Sequence, residues 1–139
     1  LRPALLQPVL QVQTTKSKNI SKGELSTLMH EMLDQIRLAQ HELIAKKLQQ
    51  NPEPILALAQ RNLQRDVGHR LAPPTYLWRQ WRVILEQNSI DCIVAIITAK
   101  TRKAIELRQA SPFSGVLSPE EIARTIQREK ERARALMTP

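Results

Sequence analysis

The stretch that most limits how this chain can fold is Ser21-Lys22-Gly23-Glu24 and the run of residues behind it. A Ser followed three positions later by Glu is a capping box. The Ser hydroxyl satisfies one free amide of a helix's first turn, and the Glu reaches back to another. Behind it, Leu25, Leu28, Met29, Met32, Leu33, Ile36, Leu43, Ile44 and Leu48 recur at three- and four-residue steps, the spacing of one helix face. The pattern predicts a helix from about residue 21 to 50, roughly 45 Å long at 1.5 Å per residue. That is longer than a chain of 139 residues needs to close one core. Part of the stripe is therefore expected to face a second subunit or another partner.

The remaining elements follow from breakers and caps. Asn51-Pro52-Glu53-Pro54 ends the first helix and opens a second, with proline in the first turn where it is tolerated. Ile55, Leu56, Leu58, Ala59 and Leu63 would be its buried face, and Gly68 its C-terminal stop. Ala72-Pro73-Pro74-Thr75 introduces a third helix, Tyr76 to about Gln87, burying Leu77, Trp78, Trp81, Ile84 and Leu85. Asn88-Ser89 caps a fourth, expected to run unbroken from Ile90 to about Arg108. Its IDCIVAIITA is apolar almost all round, which predicts the most central helix. The β-branched content would also suit a strand, but no comparable partner strand exists and the pattern continues into TRKAIELRQA. SPFSGVLSPEE is a loop that ends in a second capping signal, Ser118 with Glu121 and Pro119 at the first helical position. The last helix, 119–137, offers Ile122, Ile126 and an Ala133–Leu136 face, with the charged remainder in solvent.

Pro3 and Pro8 exclude a regular helix before residue 20, so residues 1–19 read as an extended arm, with VLQVQTT alternating like a short strand. The fold class is all-α: a single-domain bundle of about five helices over 20–139, with a long first helix and an extended N-terminal arm. The scarcity of glycine, three in all, agrees.

Charge narrows the partners. The chain carries +8, which suits nucleic acid or an acidic protein. The excess is uneven. Residues 20–50 balance, whereas Arg2, Lys16 and Lys18 leave the arm positive, and Arg61, Arg65, Arg70, Arg79 and Arg82 face only Asp66 between 61 and 82. These five arginines form the candidate surface for nucleic acid or an acidic partner, since guanidinium pairs phosphate and carboxylate bidentately. No helix-turn-helix signature stands out, because Pro73-Pro74 makes a poor turn for one. Trp78 and Trp81 beside Arg79 and Arg82 suggest base stacking, but in so aromatic-poor a chain they read first as core or groove anchors.

Catalytic equipment is hard to find. There is no glycine-rich phosphate loop, nucleophile elbow, zinc motif or paired carboxylate. His30 and His41 stand eleven residues apart on the predicted first helix, not at the four-residue step of a metal pair, and read as surface or interface residues. RNLQRDVGHRL (61–71) resembles the Arg–His constellation of HEPN ribonucleases, which place four to six residues between Arg and His. Here Arg65 to His69 leaves three and Arg61 to His69 leaves seven, so a role opposing the helix dipole is the simpler reading. Neither a cofactor nor a metal is expected. The single Cys92 excludes an internal disulfide, and LRPALLQPVLQVQTT lacks the order of an export signal. No apolar run is long enough to cross a membrane, so the expected location is cytoplasmic.

AKKLQQNPEPILALAQRNLQRD, YLWRQWRVIL and above all LRQASPFSGVLSPEE together resemble short, uncharacterised bacterial helical proteins of mobile or toxin–antitoxin-like gene clusters. The resemblance spans about Ala45 to Glu121. It implies a small binding protein and assigns no site.

These readings order the functions. First stands a non-enzymatic bacterial protein-binding module, antitoxin-like or a mobile-element accessory, able to homodimerise. Leu25, Met29, Met32, Ile36 and Leu43 are its candidate self-association or partner interface, methionine being adaptable at such surfaces. The alternative is a basic nucleic-acid-binding regulator using the arginines. A HEPN-like ribonuclease with atypical spacing comes third.

Overall fold

A computed structural model describes residues 21–67 and 75–137. Over these residues the chain is all-helical, with no strand. Its helices are α1 (Lys22–Gln50), α2 (Pro52–Val67), α3 (Thr75–Gln87), α4 (Ile90–Ile97), α5 (Arg102–Gln109) and α6 (Pro119–Met137). The arm 1–19, the Gly68 stop, His69, Arg70 and the Pro73-Pro74 turn lie outside the described residues. The chain divides into two compact units, Leu1–Met32 and Leu33–Pro139.

In the first unit, the start of α1 forms as the capping box requires. Ser21 Oγ accepts from the Glu24 amide at 3.0 Å, and the Ser21 amide donates to Glu24 Oε1 at 3.3 Å. Every side chain from 21 to 30 is exposed.

The second unit holds the core. It gathers Ile44, Ala45 and Leu48 of α1, Ala59 and Leu63 of α2, and Leu77, Trp78, Trp81 and Leu85 of α3. Ile93 and Ile97 of α4, Leu107 of α5, and Phe113 and Leu117 of the following loop complete it. Trp81 is the pivot. It is fully buried, its Nε1 donates to the Leu107 carbonyl at 3.0 Å, and Phe113 meets its ring edge-to-face with centroids 5.6 Å apart. Both tryptophans are thus core residues, and their faces are closed to a nucleic-acid base.

The fourth predicted helix is two helices. Thr98 turns its hydroxyl back to the Val94 carbonyl at 2.7 Å, and Thr101 caps a new helix by accepting from the Ala104 amide at 3.1 Å. Arg108 closes the break: one guanidinium nitrogen donates to the Ile97 and Ala99 carbonyls at 3.0 and 2.7 Å. A buried cation thereby takes up backbone acceptors that the helix end leaves open. Nor is α4 buried all round. Ile93 and Ile97 face inward while Asp91, Cys92 and Ala95 are exposed.

Two further expectations are corrected. His41 is buried, not a surface residue. On α6 the buried positions are Thr125 and Glu129, whereas Ile122, Leu136 and Met137 are exposed. Glu129 meets Arg132 at 3.5 Å and Thr125 Oγ1 donates to the Ile122 carbonyl at 2.8 Å, which lets polar side chains occupy that face. The second capping box forms as read, with Ser118 Oγ accepting from the Glu121 amide at 3.1 Å. Glu121 also pairs with Lys47 of α1 at 3.0 Å. Those partners, the Ser118 amide first, hold its carboxyl below the usual carboxylate range.

Candidate functional site

Three arrangements are candidates for function: a polar cluster around the 111–117 loop, an apolar stripe on α1, and a groove between α3 and α5.

The polar cluster contains a nucleophile and a base in contact. His41 Nε2 lies 2.8 Å from Ser111 Oγ, and Nδ1 lies 2.7 Å from the Arg37 carbonyl. A carbonyl only accepts, so Nδ1 carries the proton and Nε2 accepts from the Ser111 hydroxyl. That is the geometry of a serine–histidine dyad. The surroundings argue for another role. His41 is 4% exposed, and burial, with Arg108 and Arg37 adding repulsion, lowers its pKa from 6.5 to about 4. A base so weak takes little of a hydroxyl proton near neutral pH. Neither residue lines any of the described pockets. Ser111 Oγ also accepts from the Phe113 amide at 3.2 Å, and the His41 ring meets Phe113 at 80° with centroids 6.1 Å apart. Asn62 grips the same loop from α2, donating to the Pro112 and Ser114 carbonyls at 2.8 and 2.9 Å. Gly115 supplies the turn with φ of 92°, a conformation that suits glycine. His41, Asn62 and Gly115 therefore shape the loop that carries Phe113 into the core.

The apolar stripe is exposed. Leu25, Leu28, Met29 and Leu33 are 50, 52, 59 and 43% accessible. Of the interface candidates, Leu25 and Met29 lie open and Met32 is half-buried. Ile36 is buried, and Leu43 is half-buried against the core. Helical register explains the contrast. At about 100° per residue, Leu25, Leu28, Met29 and Met32 share one side of α1. Leu38, His41, Ala45 and Leu48, all buried, fall roughly 140° round from it. The stripe is thus no continuation of the face that packs the core; it is a second apolar surface on the same helix. Glu24 and Glu31, seven residues apart, run along its Leu28 edge.

The groove has a volume of about 540 Å³. Val83 and Ile84 of α3 form one wall, and Ile96, Ala99, Ala104 and Leu107 the other. Arg79 and Lys103 stand exposed beside it. Lys103 is held by Glu106 at 3.2 Å and lies 5.8 Å from the centre of the Tyr76 ring, whose hydroxyl donates to Glu106 at 3.1 Å. In the wall, the side-chain oxygen of Gln80 is buried with no hydrogen-bond donor among the described residues.

The arginines do not gather at one point of the surface. Arg61 and Arg65 are exposed on one face of α2, Arg82 borders a cleft with Gln60 and Gln64, and Arg79 belongs to the groove. Arg70 is outside the described residues. His30 is exposed on α1, apart from His41 in burial as well as spacing. Among the described residues no three His, Cys, Asp or Glu side chains could hold a metal, and no helix is long and apolar enough to cross a membrane.

Sequence reasoning missed the groove because its walls come from three segments with separate periodicities. It missed Asn62 and Arg108 because polar residues that cap backbone carbonyls leave no repeating pattern. No protein-family model matches the chain, and no curated protein or solved structure matches it.

Proposed function

We propose that this chain is a non-enzymatic, cytoplasmic protein-binding module that self-associates through the N-terminal part of α1. The observation that carries this reading is the stripe of Leu25, Leu28, Met29 and Leu33, four large apolar side chains about half exposed on one helix face. Water contact with so much contiguous apolar surface is unfavourable, and such patches mark interaction sites. Opposite faces of one helix serve two tasks, the core on one side and a partner on the other. The likeness of LRQASPFSGVLSPEE to short bacterial proteins of mobile or toxin–antitoxin-like clusters supports placing it with antitoxin-like accessory proteins, which act by binding. Catalysis has no comparable support, since the Ser111–His41 pair is buried and its base is weak.

If the stripe joins subunits, thermal stability rises with protein concentration by mass action. Met29→Asp, at an exposed position, abolishes that dependence and leaves the helical signal intact. A melting temperature that responds to concentration equally in both proteins overturns the reading.

A basic nucleic-acid regulator is the second reading, favoured by the exposed Arg61 and Arg82 on adjacent helices α2 and α3. It requires an affinity for DNA or RNA that falls steeply with salt, and a shallower slope when both are replaced.

A further inference from the structure

The stripe and the groove are two unpartnered apolar surfaces of one chain, and their shapes and charges are opposite. The stripe is a convex helix edge bordered by Glu24 and Glu31. The groove is concave and flanked by Arg79 and Lys103, with Lys100 and Arg102 exposed beside it in sequence. We propose that the N-terminal part of α1 of one copy docks into the α3–α5 groove of a second copy. The proposal rests on the self-association reading above and names the surface on which the stripe lands.

Three observations support this occupant. The first is charge. A helix edged with carboxylates suits a groove edged with cations, and this complementarity selects partner and register. The chain's own residues 1–19 carry Arg2, Lys16 and Lys18 and no acid, so they match the groove poorly. The second is the Gln80 side-chain oxygen, buried in the groove wall without a donor among the described residues. An unsatisfied buried acceptor asks for an explanation, and a docked helix bearing Lys22, Ser26 and Gln35 brings donors. The third is area. The four exposed stripe residues present on the order of 400 Å² of apolar surface, the scale of an interaction patch. One stripe-in-groove contact buries about twice that. Two reciprocal contacts bury roughly 1,600 Å², the size of a stable interface. Reciprocity is also what closes the assembly, because a heterologous contact made only once per copy would propagate.

Complementation between variants of the full chain tests this. Met29→Asp disables the stripe and Val83→Asp the groove. Both positions are exposed, at 59 and 47%, so neither change disturbs the core, and circular dichroism checks that. Arg79→Glu is a second groove variant. Each variant alone should raise the dimer dissociation constant by about 30-fold or more, the loss expected at an interface hot spot. An equal mixture of stripe-disabled and groove-disabled chains retains one intact contact, and sedimentation velocity should show dimer returning in the mixture only. If Val83→Asp and Arg79→Glu dimerise like the unaltered chain while Met29→Asp does not, the groove inference is overturned and self-association through the stripe stands. If both classes of variant are monomeric and the mixture is also, the inference is overturned. If the unaltered chain is itself monomeric, the inference falls together with the reading beneath it.

Discussion

Acidification should destabilise this protein well above the range in which its carboxylates titrate, and His41 is the cause. In the unfolded chain an imidazole has a pKa near 6.5; in the fold, burial beside Arg108 and Arg37 lowers it to about 4. The folded state therefore refuses a proton that the unfolded state accepts, and stability present above pH 6.5 is lost as pH falls toward 4. Each pKa unit is worth about 1.4 kcal/mol, so the full loss across that window is about 3 kcal/mol. Between pH 7 and pH 5 alone it amounts to about 2 kcal/mol, a large fraction of the stability of a small domain.

The assay is urea unfolding at pH 7 and pH 5 for the unaltered chain and for His41→Gln. The amide can still accept from Ser111 and donate to the Arg37 carbonyl, but it does not titrate. The substitution costs some stability at pH 7, and only the change with pH matters. The unaltered chain should lose about 2 kcal/mol more than the variant on going to pH 5. Titration of the other groups, common to both proteins, cancels in the difference. An equal loss in both would refute the buried, neutral imidazole and with it the hydrogen-bonded Ser111–His41–Arg37 arrangement.

Other perturbations test the polar supports one at a time. Arg108→Met removes the donor to the Ile97 and Ala99 carbonyls; it should cost about 2–3 kcal/mol of unfolding free energy in urea. Asn62→Ala leaves the Pro112 carbonyl buried and unpaired and frees the loop. A loss of about 2 kcal/mol is expected, with faster proteolysis within 111–117. Gly115→Ala finds room for its Cβ, the nearest atom being Leu58 Cδ2 at 3.6 Å. Its positive φ nonetheless costs the alanine about 1 kcal/mol, so a stabilising outcome would contradict the turn geometry.

How much of this was legible beforehand depends on how each signal is built. Ser21–Glu24 and Ser118–Glu121 announce helix starts through contacts local to four residues, and both capping boxes form as read. Trp81 and Phe113 were conspicuous in a chain poor in aromatics, though only the fold shows them edge-to-face. The break at Thr98–Thr101 was hidden because every residue there tolerates a helix. The deciding partner, Arg108, reaches back from the next helix. His41 was misplaced for a related reason. It lies off the apolar stripe read from Leu25 onward, and that stripe is not the face α1 buries after residue 36. A single apolar pattern was assumed where the helix has two, one for the core and one left open. The groove, assembled from α3, α5 and the turn before α5, has no linear pattern at all.

That second pattern is the centre of the account, and the most direct measurement of it is sedimentation equilibrium of the unaltered full chain over a roughly hundredfold range of concentration. The account predicts a reversible monomer–dimer equilibrium, shifted to monomer by Met29→Asp. A single monomeric mass at every concentration would contradict it.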